Sequence, residues 1–192
     1  MTKRQEEITK EAIKLISEKG IQGLTIKNLS KRIGISEPAI YRHFEGKTDI
    51  LLKLLENFKI VVLKTINDVN KFDGSSWEKI YTLFSKFYMI FSDNPALVSV
   101  IFAEEIFKNN TMLTAKIIEI LNLNENTLLK YISEGQKLDE LRSDINKKSI
   151  SLIIIGSMRM LVKKWEISKF DFDLKTEGEK LLQELKKMIK IN

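Results

Sequence analysis

Three side chains near the N-terminus, Tyr41, His43 and Lys47, carry hydrogen-bond donors suited to an anionic group. A phenol, an imidazole and an ammonium each donate to phosphate oxygens, contacts that position a partner without reading its sequence. They lie in a basic stretch, because residues 1–47 hold ten Lys or Arg and six Glu, a net charge of +4, whereas the whole chain carries +6. This placement favours a polyanionic partner, and a lysine-rich solvated surface is the alternative.

Catalytic and metal chemistry find little support in the sequence. His43 is the only histidine, and no nucleophile or acid stands beside it in the motif. Cys is absent, which excludes disulfides and Cys-based zinc sites, and a single His excludes multi-His metal sites. The sequence singles out no phosphate-binding glycine loop and no Ser-His-acid arrangement. We therefore predict a protein that is not an enzyme and that needs neither a metal nor a cofactor.

No segment of the sequence predicts export or membrane insertion. The first residues lack the apolar core that signal peptides carry. The longest strongly apolar stretch, residues 152–158, is short and closes on Arg159. We therefore expect a cytoplasmic protein with no membrane association.

Scarce helix breakers and abundant Leu, Ile, Lys and Glu predict an all-α fold. Only 8 Gly and 2 Pro occur among 192 residues, and apolar residues recur at helical spacing through most of the chain. Turn signals separate the helical segments. We predict about nine helices, at residues 3–19, 26–33, 36–44, 47–71, 76–92, 95–108, 112–138, 146–169 and 174–189, the seventh with a potential kink at 122–124.

Two of these helices are short and are separated by a tight glycine turn, a pattern typical of the helix-turn-helix motif. Thr25 caps the first, Gly34 ends it, and Ser36 caps the second. The apolar residues expected to fix the angle of the pair against the first helix are Ile26, Leu29, Ile33, Ile35 and Ile40. The side chains left on the other face of the second short helix are Glu37, Pro38, Ala39, Arg42 and His43, with Tyr41 alongside. Small residues at its start allow a helix to enter a DNA major groove closely.

Residues 23–51, GLTIKNLSKRIGISEPAIYRHFEGKTDIL, resemble the DNA-binding signature of the tetracycline-repressor (TetR) family. The Gly-Leu-Thr opening, the helix pair, the Tyr-x-His-Phe motif and the following Gly-Lys stand in the family order. The specific pattern extends over about the first 50 residues, and the rest of the chain fits the family only in length and helicity. The resemblance implies a three-helix, helix-turn-helix DNA-binding domain at residues 1–48 and a helical effector-binding and dimerisation domain at residues 49–192.

The resemblance also implies a function. Such a protein is a homodimer, joined through its last two helices, that binds a palindromic operator in double-stranded DNA and mostly represses. A small-molecule effector, here expected to be largely apolar, releases it from DNA. The implied contacts to phosphates are Thr25, Tyr41, His43 and Lys47. The positions implied at or near base edges are Lys27, Glu37, Pro38, Ala39 and Arg42, and Ser36 at the start of the recognition helix completes the set.

Several assignments keep an alternative. Tyr41 either donates to a phosphate or packs against the first helix, and Lys47 either meets a phosphate or is a solvated lysine at the start of the fourth helix. Glu37 either accepts from a cytosine amine or only stabilises the positive end of its own helix. The apolar stripes of the last two helices either build the dimer or cover the core of the monomer. The aromatic residues that either line an effector cavity or form ordinary core are Trp77, Phe84, Phe87, Tyr88, Phe91, Phe102 and Phe107. The rival functions are a transcriptional activator of the same fold and a helical small-molecule carrier or enzyme.

Overall fold

The computed structural model describes residues 2–102 and 110–190, and these residues form nine α-helices and no β-strand. In chain order they are α1 (Lys3–Gly23), α2 (Ile26–Ile33), α3 (Glu37–Tyr41), α4 (Lys47–Asn70), α5 (Ser76–Asp93), α6 (Pro95–Ile101), α7 (Thr111–Lys137), α8 (Lys147–Ile167) and α9 (Leu174–Ile189). Among the described residues the extended pairing is an isolated antiparallel bridge between Leu141 and Lys190. The prediction of an all-α fold is confirmed.

Several helix bounds differ from the sequence prediction. α1 runs to Gly23 rather than ending at residue 19, with a break in its helical backbone at Gly20, which lies at φ +67. α3 ends at Tyr41 rather than Phe44, because the backbone N–H groups of His43 and Phe44 both donate to the Ile40 carbonyl, at 2.8 and 3.1 Å, and tighten the last turn. α7 runs continuously through residues 122–124, where the kink was expected. α6 ends at Ile101, with Phe102 as its C-cap, and residues 103–108 of the predicted helix, Phe107 among them, lie outside the described residues.

Contacts between Cα atoms divide the chain into two compact units. Unit 1 comprises Met1–Ile60 and Asn94–Glu119, and in it α1 packs against α2 and α6 while α2 packs against α3. Its largest fully buried apolar side chains come from the first 55 residues: Ile8, Leu15, Ile16, Leu24, Leu29, Ile40, Ile50, Leu51 and Leu55. Unit 1 thus holds the whole helix-turn-helix.

Unit 2 comprises Val61–Asp93 and Ile120–Asn192, and in it α9 packs against both α5 and α8. Its core is rich in aromatic residues from α5, because five of them recur at helical spacing and face inward: Trp77, Phe84, Phe87, Tyr88 and Phe91. Asp173 caps α9 by accepting from the Thr176 N–H, at 2.6 Å. Unit 2 is therefore an aromatic helical core closed by the two C-terminal helices.

Within residues 2–102 and 110–190, no helix combines the length and the apolar character that crossing a bilayer requires.

Candidate nucleic-acid interface

Local hydrogen bonds set both ends of α2, the first helix of the motif. The Thr25 hydroxyl accepts from the Asn28 N–H at 3.1 Å, which confirms its predicted role as the N-cap. Gly34 lies at φ +75, in the left-handed region that glycine enters without steric strain, and its N–H donates to the Ser30 carbonyl at 2.9 Å. Since the Thr25 oxygen acts here as an acceptor, its O–H remains able to donate outward.

Apolar packing fixes α3 against the rest of unit 1. Leu29 and Ile40 are fully buried, as predicted, and Phe44 is buried directly after α3. The other apolar residues expected to hold the pair are only half-buried: Ile26, Ile33 and Ile35. Burial of Ile40 on one side of so short a helix leaves the opposite side of α3 to solvent.

An ion-pair cluster clamps α2 to α1. Arg32 on α2 donates to Glu18 through both terminal nitrogens, at 2.6 and 2.7 Å, and to Glu11 through Nε at 2.9 Å. Lys14 also pairs with Glu11 at 2.6 Å. Hydrogen bonds from Lys14 and Arg32 lower the pKa of Glu11, and those from Arg32 lower the pKa of Glu18. A planar guanidinium that bonds two carboxylates in fixed directions holds the helices at one angle.

Replacing Arg32 by alanine is expected to destabilise the chain modestly at neutral pH and progressively less in acid. Because both carboxylates have a folded-state pKa below the usual 4.5, their pairing stabilises the fold above about pH 4.5 and is lost as the pH falls through the folded values. The measurement is the urea midpoint of both proteins at pH 7 and at about pH 3. Lys10→Ala, which removes an exposed basic side chain from α1, is the control. If Arg32→Ala lowers the urea midpoint by the same amount at both pH values, the ion pairs of Arg32 do not stabilise the fold as described.

Gln5 connects the start of α1 to the end of the recognition helix. The side-chain Oε1 of Gln5 accepts from the Thr2 N–H at 3.1 Å, and the backbone N–H of Gln5 donates to the Thr2 hydroxyl at 3.2 Å. These two bonds form a capping box. Its Nε2 donates to the His43 carbonyl at 3.2 Å. One side chain thereby caps α1 and holds the backbone that follows α3.

The structure places the ten predicted contact residues on the outside of the motif or at its margin. Those that are exposed are Thr25, Lys27, Ser36, Glu37, Pro38, Tyr41 and Arg42. Those that are half-buried are Ala39, His43 and Lys47. All ten belong to unit 1, within 23 residues of sequence. Their surface carries more basic than acidic side chains, since Glu37 is the acidic member of the set.

For three of these residues, the exposure or the hydrogen bonding of the side chain bears on DNA contact. Tyr41 is 52% exposed, which rules out tight packing of its ring against α1. Ser36 occupies the N-cap of α3, but its hydroxyl makes no capping hydrogen bond. Lys47 donates through Nζ to the Ile21 carbonyl at 2.8 Å, and burial lowers the pKa of its ammonium. An ammonium has three donors, so Lys47 can hold the end of α1 and still reach an anion.

Sequence reasoning did not identify Arg32, Glu11, Glu18 or Gln5 as structural partners of the interface. A signal was present for the clamp, because Glu11 and Glu18 are seven residues apart and therefore share a face of α1. The contact between Gln5 and His43 spans 38 positions, and no local pattern indicates it.

Comparison with known proteins agrees with this architecture. A sequence model of bacterial regulatory proteins of the tetR family matches residues 8–54, and a model of the C-terminal region of YsiA-like proteins matches residues 56–187. The fatty acid metabolism regulator protein of Bacillus subtilis (strain 168) is 24% identical over 172 residues, covering 90% of this chain and 88% of the relative. The nucleoid occlusion factor SlmA of Vibrio atlanticus (strain LGP32) is 26% identical over 172 residues, covering 88% and 87%.

A solved structure shares the fold over nearly the whole chain. The transcriptional regulator FadR from Bacillus subtilis, crystallised with stearoyl-CoA, superposes with a TM-score of 0.79 at 23% identity, covering 94% of this chain and 96% of FadR. A helix-turn-helix in unit 1 together with matches to regulator models over residues 8–54 and 56–187 defines a DNA-binding transcriptional regulator. The chain belongs to the TetR family of bacterial regulatory proteins.

Family membership settles the class of activity. The protein is a ligand-responsive, DNA-binding transcriptional regulator and not an enzyme. Regulators of this family bind DNA and small molecules and act as dimers.

Proposed function

We propose that the chain is a cytoplasmic repressor that binds a palindromic operator as a homodimer and leaves it when an effector molecule with a long apolar chain binds. The observation that carries the DNA-binding part is the exposed polar side of α3, with Ile40 buried behind it and Tyr41 half in solvent. A helix held this way can enter a major groove, and two copies related by a two-fold axis read half-sites about 34 Å apart, or a multiple of that.

We assign DNA contact to the ten residues named above, and we keep the functional boundary of the DNA-binding domain after residue 48. Phosphate contacts go to Thr25, Tyr41, His43 and Lys47, because each offers a donor at the margin of the motif. Base edges are met by the exposed side of α3 and by Lys27, which α2 presents to solvent. The remaining helical residues, 49–192, would serve effector binding and dimerisation.

Tyr41→Phe and Lys47→Ala are expected to weaken operator binding in ways that salt distinguishes. Lys47→Ala removes a charge, so the slope of log K against log salt falls by about 0.9 per subunit. Tyr41→Phe removes a neutral donor, so affinity falls by roughly threefold to tenfold at every salt concentration with the slope unchanged. Fluorescence anisotropy across a salt series measures both. Unaltered affinity for both variants at every salt concentration would remove the phosphate assignments.

The dimer is assigned to the exposed faces of α8 and α9. Leu152, Gly156 and Met160 follow one another at one-turn spacing on α8, and all three are exposed in the isolated chain, as is Met188 on α9. On the opposite face of α8, Ile154 is buried inside unit 2. We therefore assign the exposed face to the dimer and the buried face to the core of the monomer. Large apolar side chains left in solvent on one helix are typical of a surface that another chain covers.

For the effector we propose a long-chain acyl-CoA. The support is that the Bacillus subtilis relative over most of the chain is named a fatty acid metabolism regulator, and that the FadR of the same organism was crystallised with stearoyl-CoA. The aromatic core of unit 2 offers the apolar surroundings that an acyl chain prefers. Whether its aromatic residues line the binding site stays a prediction.

The experiment is selection of bound sequences from a random DNA pool by the purified protein, with and without stearoyl-CoA. Enrichment of a palindrome that stearoyl-CoA abolishes supports the whole proposal. Enrichment that stearoyl-CoA leaves intact supports the operator and rejects this effector. No enrichment at low salt, with the protein folded and free of bound lipid, rejects sequence-specific binding. A reporter gene in a deletion strain then separates repression from activation.

A further inference from the structure

Buried polar atoms without a hydrogen-bond partner are confined to unit 2. Within residues 2–102 and 110–190 they are Ser85 Oγ, Tyr88 OH, Asn124 Oδ1 and Ser151 Oγ. Native interiors satisfy the great majority of such atoms, and each exception calls for an explanation. In unit 2 these four atoms are therefore the ones to which a bound molecule could offer a partner.

Other helical hydroxyls in unit 2 are paired, so the lack of a hydrogen-bond partner at Ser85 and Ser151 is not general. A helical Ser or Thr can always donate to a carbonyl three or four residues earlier. Thr127 on α7 and Ser157 on α8 do so, to Leu123 at 2.8 Å and to Ile154 at 3.1 Å. Ser85 and Ser151 forgo the same bond although their hydroxyl oxygens are shut off from solvent. Neither hydroxyl therefore has a partner within its own helix.

Tyr88 is the largest of these groups, and its ring position is fixed by a close approach of two helices. It is 1% exposed on α5, and a Cβ added to Gly178 of α9 would lie 2.6 Å from Tyr88 Cγ. Gly178 thus lies in the interior of a helix, where glycine is unfavourable, and it makes room for this ring. Ser85 precedes Tyr88 by three residues, so both hydroxyls lie on one face of α5.

The chemistry of the interior selects the kind of group that could pair with Tyr88. Burial raises the pKa of Tyr88, so the phenol stays protonated and can donate at neutral pH. The polar residues buried in the described parts of the chain are hydroxyl residues without charge: Thr9, Ser30, Thr65, Ser76 and Ser151. An interior without buried charge disfavours a carboxylate or an amine and accommodates a neutral carbonyl.

We propose that the Tyr88 hydroxyl, assisted by Ser85 on the same face of α5, donates a hydrogen bond to the thioester carbonyl oxygen of the acyl-CoA effector. This inference rests on the proposed function for the identity of the effector class, and it adds the residue that recognises the carbonyl. Tyr88 is then a specificity-determining residue that distinguishes a carbonyl-bearing chain from a plain alkyl chain of the same length.

The first test is stability without ligand, with Tyr131 as the matched control. Tyr131 is equally buried in unit 2, but its hydroxyl donates to Asn70 Oδ1 at 2.8 Å. Tyr131→Phe should lower the Tm by about 3 °C, because it breaks a paired bond. Tyr88→Phe should leave the Tm unchanged or raise it, since it removes an unpaired hydroxyl. A fall in Tm as large as that of Tyr131→Phe would show that the Tyr88 hydroxyl is already paired in the free protein, and would overturn the proposal.

The second test is binding of stearoyl-CoA and of S-octadecyl-CoA, a thioether that lacks the carbonyl, by calorimetry. Tyr88→Phe should bind stearoyl-CoA about tenfold more weakly and the thioether as the unchanged protein does. Tyr131→Phe should keep the preference for the thioester. Equal loss for both compounds, or no loss for either, overturns the carbonyl assignment while leaving the effector class in place.

Failure of the effector class has a distinct signature. If the unchanged protein binds neither CoA compound, the acyl-CoA proposal is wrong. The two ligands compared are then methyl decyl ketone, which has a carbonyl, and dodecane, which has none. Their binding is measured by displacement of a fluorescent apolar dye. A ketone preference that Tyr88→Phe abolishes and Tyr131→Phe retains supports Tyr88 as the carbonyl donor for another effector. No such preference overturns the inference as well.

Discussion

Replacing Met160 by glutamate is expected to convert the dimer to a monomer and to weaken operator binding about a hundredfold or more. Met160 is 68% exposed on the α8 face that we assign to the interface. Two-fold symmetry would bring the face of one subunit against the same face of its partner. A glutamate there must be buried without a partner or must face its own symmetry copy, and either costs several kcal/mol.

The loss on DNA follows from the loss of the second reading head. Two linked heads bind two half-sites with an effective concentration that adds roughly a hundredfold to ten-thousandfold in affinity, and a monomer forfeits that gain. Sedimentation and anisotropy measured on one sample give both quantities. Leu138→Glu is the matched control, because Leu138 is 67% exposed in unit 2 but lies outside α8 and α9. Monomer formation by both variants, or by neither, would place the interface elsewhere.

Local sequence patterns predicted what local physics determines. Thr25 and Gly34 set the ends of α2 through bonds to residues three or four positions away, so their roles follow from residue type alone. The exposed side of α3 followed in the same way from the spacing of Ile40 and its polar neighbours. Helix identity was predictable for the same reason, since the 3.6-residue period of apolar side chains repeats within each element.

Features that depend on contacts between distant residues were not predictable. On α8 the structure buries Ile154 in unit 2 and leaves its apolar neighbour Ile153 exposed. A periodicity identifies an apolar face, but it does not indicate whether the chain itself or a partner covers that face. Glu140 accepts from the Ser76 N–H at the start of α5, 64 positions away, and no pattern near either residue indicates this contact.

The orphaned hydroxyls illustrate the same limit in the candidate effector site. A tyrosine in an aromatic stripe predicts core, and Tyr88 is indeed buried. Only the three-dimensional arrangement shows that its hydroxyl lacks a partner whereas that of Tyr131 has one. The distinction between a packing residue and a recognition residue therefore lies in pairing, which the sequence does not contain.

Replacing Ile40 by alanine should destabilise unit 1 by about 2–5 kcal/mol, the range for truncating a fully buried apolar side chain. Ile40 has no exposed surface, and its side chain anchors α3 within the core. Its neighbour Tyr41 points outward, so Tyr41→Phe should change stability by less than about 0.5 kcal/mol. Urea unfolding of both variants, combined with operator affinity at a temperature where each remains folded, separates the two roles.

The pair of results decides which side of α3 meets DNA. If Ile40 holds the helix and Tyr41 meets a phosphate, Ile40→Ala lowers stability strongly, and Tyr41→Phe lowers affinity with stability intact. We also expect Ile40→Ala to lower the affinity for the operator, because a loosened α3 must be ordered again on binding. That ordering costs about 1–2 kcal/mol of conformational entropy per residue fixed. A stable Ile40→Ala variant, or a Tyr41→Phe variant that unfolds early, would show that the recognition helix is oriented differently. The exposed residues of α3 would then no longer define the DNA-reading surface.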